Sequence, residues 1–96
     1  MVRVMNLREA LEALGNDTEA VARTLVDKGI HGFRKHPYHC PVSNYLRSCG
    51  FKSVNVGTQK VYVGEGVSSY SQDLPSAVSR FIIFFDEGLY PEIYER

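Results

Sequence analysis

Residues 31–51 read His-Gly-Phe-Arg-Lys-His-Pro-Tyr-His-Cys-Pro-Val-Ser-Asn-Tyr-Leu-Arg-Ser-Cys-Gly-Phe and hold all three histidines and both cysteines of the chain. Metal binding is the first chemistry such a segment suggests, since His31, His36, His39, Cys40 and Cys49 all carry ligating atoms. With 41–48 helical, however, the step from Cys40 to Cys49 covers about 13 Å at 1.5 Å per residue, too far for one tetrahedral site. The same separation excludes an internal disulfide, whose Cα atoms lie within roughly 7 Å of each other. That leaves only a set drawn from His31, His36 and His39 or Cys40. Neither Cys-x-x-Cys nor His-Glu-x-x-His occurs, and no metal or cofactor is expected.

A nucleophilic thiol is the second chemistry. Cys40 would sit at the amino end of a helix, beside His39 and near Arg34 and Lys35, where the helix dipole and cations favour thiolate. Cysteine-dependent phosphatases use His-Cys, five residues and then Arg, with glycines that let backbone N–H groups ring the phosphate. Here six residues, none of them glycine, separate Cys40 from Arg47. The pattern fails, so no catalytic residue is assigned and the chain is not expected to be an enzyme. Cys40 then serves as a small cap or packing residue, and Cys49 falls on a buried stripe.

Anion binding is the third. Arg34, Lys35, His39 and Arg47, with N–H groups at the start of the following helix, could hold phosphate, and Tyr38 could stack on a base, as could Tyr45, Tyr62 or Tyr70. That would suit a phosphate-bearing nucleotide or a sequestered defence signal, although no Gly-rich phosphate loop is present.

Charge supports a basic middle. Net charge is zero, yet residues 23–60 hold seven Lys and Arg against Asp27 alone, while 1–22 carry a net −2 and 61–96 a net −4. The basic part could receive an anion or an acidic partner surface. The opposed halves could equally neutralise each other across the fold. The pI of about 6.8 is low for a DNA binder.

These residues need elements to position them. The chain of 96 residues, 44% hydrophobic and 23% charged, suits a single domain spanning 1–96 with one modest core. Asn6 with Glu9, and Asn16 with Glu19, have capping-box spacing. They predict a helix with Leu7, Leu11 and Leu14 on one face, stopped at Gly15. A second follows over about 17–28, with Val21, Ala22, Leu25 and Val26 inward, and the two form a helical hairpin. Residues 29–39 read as a loop anchored by Phe33 and Tyr38. Pro41 opens a third helix whose Val42, Tyr45, Leu46 and Cys49 recur at helical spacing; Gly50 stops it and Phe51 closes back on Leu46. Val54 and Val56, a turn at 57–59, then Val61 and Val63 predict a β-hairpin. Residues 64–73 read as a flexible connection, a candidate flap whose one large residue is Tyr70.

A long carboxy-terminal helix should run from Leu74-Pro75 to Gly88, with Leu74, Ala77, Val78, Phe81, Ile82, Phe85 and, past the stop, Leu89 on its core face. Ile83 and Phe84 break that amphipathic pattern, which makes them the candidate interaction surface, for self-association or for a partner. The expected class is therefore α+β: helical hairpin, third helix, β-hairpin, long carboxy-terminal helix. Helices followed by a hairpin also suggest a winged-helix-like nucleic-acid binder. Against that stand a connection of about eleven residues before the third helix and a third helix committed to the core.

The run Cys40-Pro41-Val42-Ser43-Asn44-Tyr45-Leu46 with Gly50-Phe51, and the run Leu74-Pro75-Ser76-Ala77-Val78 leading to Phe85-Asp86-Glu87-Gly88-Leu89-Tyr90-Pro91, resemble small orphan proteins of actinobacteria and actinobacteriophages, including accessory proteins of mycobacteriophage type. The similarity covers roughly residues 16–94. It carries no catalytic role. What it implies is a small viral protein acting by non-enzymatic binding of a host protein, a form of host modulation. No apolar run approaches the roughly 18–20 residues needed to span a bilayer, and the amino terminus lacks a signal-peptide stretch. A cytoplasmic location, with no membrane partner, is the expectation, in the host cytoplasm if the protein is phage-encoded. A homo-oligomer is among the expected assemblies.

Overall fold

Asn6 opens helix α1, Leu7–Glu12: its side chain accepts from Glu9 N at 2.8 Å and its own N–H donates to the Glu9 carboxylate at 3.3 Å. The computed structural model describes residues 6–36, 38–65 and 68–94, with 65 and 68–70 by backbone alone. Leu7, Leu11 and Leu14 are buried as expected. The second helix, α2 (Thr18–Asp27), corrects the expected Asn16–Glu19 box, because the cap is Asp17, which accepts from Ala20 N at 2.8 Å. A carboxylate caps as well as an amide does and adds a favourable interaction with the positive end of the helix. Val26, expected inward, is 46% exposed. It follows Leu25 by about 100° around the helix, which carries it off the buried face.

Helix α3 runs Pro41–Ser48 with Pro41 in its first turn. Next come strands β1 (Lys52–Val56), β2 (Lys60–Glu65) and β3 (Ser68–Asp73), helix α4 (Ser76–Asp86) and a 3-10 turn, Pro91–Ile93. The strands form one antiparallel sheet in the order β1-β2-β3. The expected β-hairpin is therefore a three-stranded sheet, and the stretch expected to be a flexible connection supplies the end of β2 and all of β3. Ser-Ser-Tyr-Ser-Gln-Asp hides this in the sequence, because an edge strand makes its backbone hydrogen bonds whatever its side chains. Two strands alone are marginal in water. Gly66, Val67 and the side chain of Tyr70 lie outside the described residues.

Val54, Val56, Val61 and Val63 face the core, as the alternation predicts. Lys52 pairs with Gly64 but Asn55 pairs with Tyr62, so a bulge lies between them, with Ser53 at φ +52°. On the outer face Tyr62 pairs with Asn55 on one side and Ser71 on the other. Beneath the sheet α3 packs on β1, and α2 packs along α4.

The carboxy-terminal helix is shorter than expected, at 11 residues. Its inner side is an aromatic chain: Phe81 and Phe85 stack at 5.8 Å, Phe81 meets Tyr90 at 5.3 Å, and Phe85 meets Tyr94 edge-on at 5.3 Å. Such pairs hold ring orientation beyond their area burial. Helices α2, α3 and α4 stop alike. The residue two past the cap donates to a carbonyl five residues back, as Ile30 N to Leu25 O, Phe51 N to Leu46 O and Leu89 N to Phe84 O, at 2.9, 3.1 and 3.1 Å. Each time the preceding glycine has positive φ, the usual form of this stop.

Phe33 and Tyr38 do not anchor the loop between α2 and α3, being 47% and 53% exposed. Hydrogen bonds hold it instead. Gly32 N donates to Ile93 O at 3.0 Å, Phe33 N to His39 O at 2.9 Å, and Lys35 N to the Asp86 carboxylate at 2.8 Å. Gly32 lies against the next helix so closely that a Cβ there would stand 2.3 Å from Pro41 N.

Candidate interaction surface

The expected anion set does not converge. Arg34 lies over the Tyr94 ring, its guanidinium carbon 5.4 Å from the centroid, beside Gly88 at the end of α4. There a cation complements the negative end of the helix and stacks on an aromatic face. Lys35 lines a cavity of about 180 Å³ with His36, Cys40, Ile82 and Asp86. Arg47 donates to its own neighbour Asn44 on α3. His39 is exposed beside His36, ring centroids 4.8 Å apart. Tyr38 lies elsewhere, at the outer face of the sheet. Arg34 is thus engaged at the end of α4 and Arg47 on α3, while Lys35 lines a separate cavity, so the +6 of the segment is a sum along the chain.

Cys40 caps α3. Its sulfur accepts from Ser43 N at 3.4 Å while Ser43 Oγ donates to Cys40 O at 2.9 Å. Burial pushes the thiol above its ordinary value, outweighing the Ser43 hydrogen bonds that pull it down. Desolvation disfavours the charged form, so the position that suggested a thiolate holds a neutral thiol. Both cysteines are free. Among the described residues no three His, Cys, Asp or Glu side chains are grouped as a metal site would need. No helix among them is long and apolar enough to cross a membrane.

The two residues of the expected interaction surface are exposed. On α4, Phe81, Ile82 and Phe85 are buried, at 0, 4 and 1% exposure, while Ile83 and Phe84 stand out at 40 and 38%. Leu89, expected in the core, is 50% exposed. Its hydrogen bond to Phe84 O places it just past the helix end, next to the turn that carries Ile83 and Phe84. Ile30 and Phe51, at the equivalent position after α2 and α3, pack against the core instead. Arg80 and Glu87 are also exposed and share the face, because Arg80, Ile83, Phe84 and Glu87 are spaced i, i+3, i+4 and i+7. Sequence patterning found Ile83 and Phe84 and missed Leu89, Arg80 and Glu87; the helical spacing of the two charges was the available signal.

A third feature joins Tyr38 and Tyr62, both expected as stacking residues, to residues that the sequence reading did not single out. Tyr38, Tyr62, Ser53, Asn55 and Ser71 line an open cleft of about 690 Å³ on the outer face of the sheet. The bulge turns Ser53 toward it, and the loop brings Tyr38 across from another part of the chain. Comparison with protein-family models, curated proteins and solved structures gives no match for this chain.

Proposed function

We propose that this protein acts by binding another protein through the outer face of α4, without chemistry of its own. One observation carries the reading: three large apolar side chains, Ile83 and Phe84 on α4 and Leu89 just past its end, are exposed, while the opposite side of the helix is locked by an aromatic chain. Contiguous apolar exposure rimmed by polar residues is what interaction surfaces present, and a backed helix costs little ordering on association. In the phage-type setting that the sequence resemblance implies, the partner is a host protein. To test this, a photo-reactive phenylalanine analogue would replace Phe84 in one sample and Tyr62 in another, each in host-cell extract. Protein adducts should form from position 84, be competed by wild-type chain, and not be competed by Phe84→Asp. Adducts arising only from position 62, or equally from both, would sink the reading.

A second reading rests on the sheet cleft. The side chains of Tyr38, Ser53, Asn55, Tyr62 and Ser71 make no hydrogen bond within the described chain, and half-exposed tyrosine rings offer stacking faces. A nucleotide, expected on the basic segment, would fit better with its base in this cleft. Tyrosine fluorescence titrated with nucleosides would then change in wild type and not in Tyr62→Ala; no change in wild type would remove the reading.

A further inference from the structure

We infer that the outer face of α4 pairs with the same face of a second copy, the two helices antiparallel about a two-fold axis between Ile83 and Phe84. This rests on the reading of α4 as a protein-binding face and adds a second copy as an occupant of that face, in competition with the host protein. The face is self-complementary in that arrangement alone. Turned about such an axis, Ile83 lies against Phe84 of the second copy. Arg80, three residues before Ile83, meets Glu87 of the second copy, three residues after Phe84. The two ion pairs fall about 10 Å apart along the helix, at either end of the apolar centre, which gives an apolar core with a charged rim. A parallel pairing would set Arg80 against Arg80 and Glu87 against Glu87. Like charges opposed in this way fix the orientation by penalising the alternative. A two-fold contact also closes, leaving no free face to propagate a chain.

The state of these charges within one chain supports the same arrangement. The last turn of α4 contains no basic residue, and the helix ends in Asp86 and Glu87, where carboxylates face the negative end of the dipole. Asp86 is answered within the chain, by Lys35 N–H. Glu87 and Arg80 make no ion pair among the described residues. Antiparallel pairing delivers Arg80 of the second copy to Glu87, unpaired among those residues. The surface is small, so the dimer is weak, with a dissociation constant on the order of 10–1,000 µM.

Sedimentation velocity of the full chain across a concentration series spanning that range tests this. Wild type should move from monomer to dimer. Arg80→Glu and Glu87→Arg should each weaken association by about tenfold or more, since each sets like charges together at both contacts. The double swap Arg80→Glu with Glu87→Arg restores opposite charges and should recover association to within about threefold of wild type. Circular dichroism melts verify that each variant is folded. A wild type that stays monomeric, or single swaps without effect, or a double swap that rescues nothing, would overturn the pairing. If wild type is monomeric yet cross-links another protein from position 84, the second copy is wrong and the binding face stands. A dimer indifferent to both Phe84→Asp and Arg80→Glu forms elsewhere and would overturn the pairing, leaving the binding face to the cross-linking test.

Discussion

Helices α3 and α4 end with the same hydrogen bonds, each past a glycine with φ near +103°, yet they leave different surfaces. After α3, Phe51 folds back onto the core, and the helix turns only Asn44, Arg47, Ser48 and Cys49 partly or wholly outward. Past α4, Leu89 stays out, and Ile83 and Phe84 with it. The stop is local chemistry, set by glycine and backbone hydrogen bonds. Which way the apolar residue after it points depends on what the rest of the chain places beside it. With α2 and the aromatic chain on its inner side, α4 still leaves Ile83, Phe84 and Leu89 exposed. The difference separates residues that make the fold from apolar residues that the fold leaves exposed.

Breaking that separation has its largest expected effect inside α4. Phe81→Ala should cost about 3–5 kcal/mol in denaturant unfolding, whereas Phe84→Ala should stay within about 1 kcal/mol. Equal losses would mean that the outer face is structural. Gly32→Ala should cost about 2–3 kcal/mol, because its Cβ would meet Pro41 N at 2.3 Å and backbone has nowhere to move. Unchanged stability there would show that the loop does not need its close approach to α3.

Tyr45→Phe should cost about 1–2 kcal/mol, since Tyr45 Oη donates to Ala10 O at 2.7 Å and its loss leaves a buried carbonyl unpaired. The same core sets an alkaline limit. Burial raises both Cys40 and Tyr45 above their ordinary 9.0 and 10.0, so the folded state holds protons that the unfolded state releases. From these two groups, stability is level below about pH 9 and falls as the pH climbs past the unfolded values. A stability profile that rises between pH 9 and 11 would contradict this. The smallest effect belongs to Arg34→Ala, about 0.5–1 kcal/mol from its contact with Tyr94 and the end of α4. It should leave association unchanged.

The sequence was most legible where one residue does one local job. Asn6 and Glu9 cap α1, Pro41 opens α3, Gly50 and Phe51 close it, and four valines alternate into the core. It was least legible where tertiary neighbours decide. Strand β3 has no apolar alternation to announce it, because pairing with β2 needs only backbone. Asp17 outcompeted Asn16 for a cap one residue away. Arg34, Lys35 and Arg47 are close in sequence and reach the end of α4, a cavity and α3, a dispersal no spacing rule encodes. The exposure of Ile83 and Phe84 was legible because apolar residues all round a short helix cannot all face one core. Leu89 was missed because the stop predicts a contact without predicting which side of the helix is covered.

The most direct measurement is a concentration series of amide NMR spectra of the wild-type chain. Shifts should saturate with concentration, be confined to residues 80–89, and be abolished by Phe84→Asp. Spectra that do not change with concentration, or shifts centred on Tyr62 and the outer face of the sheet, would contradict it.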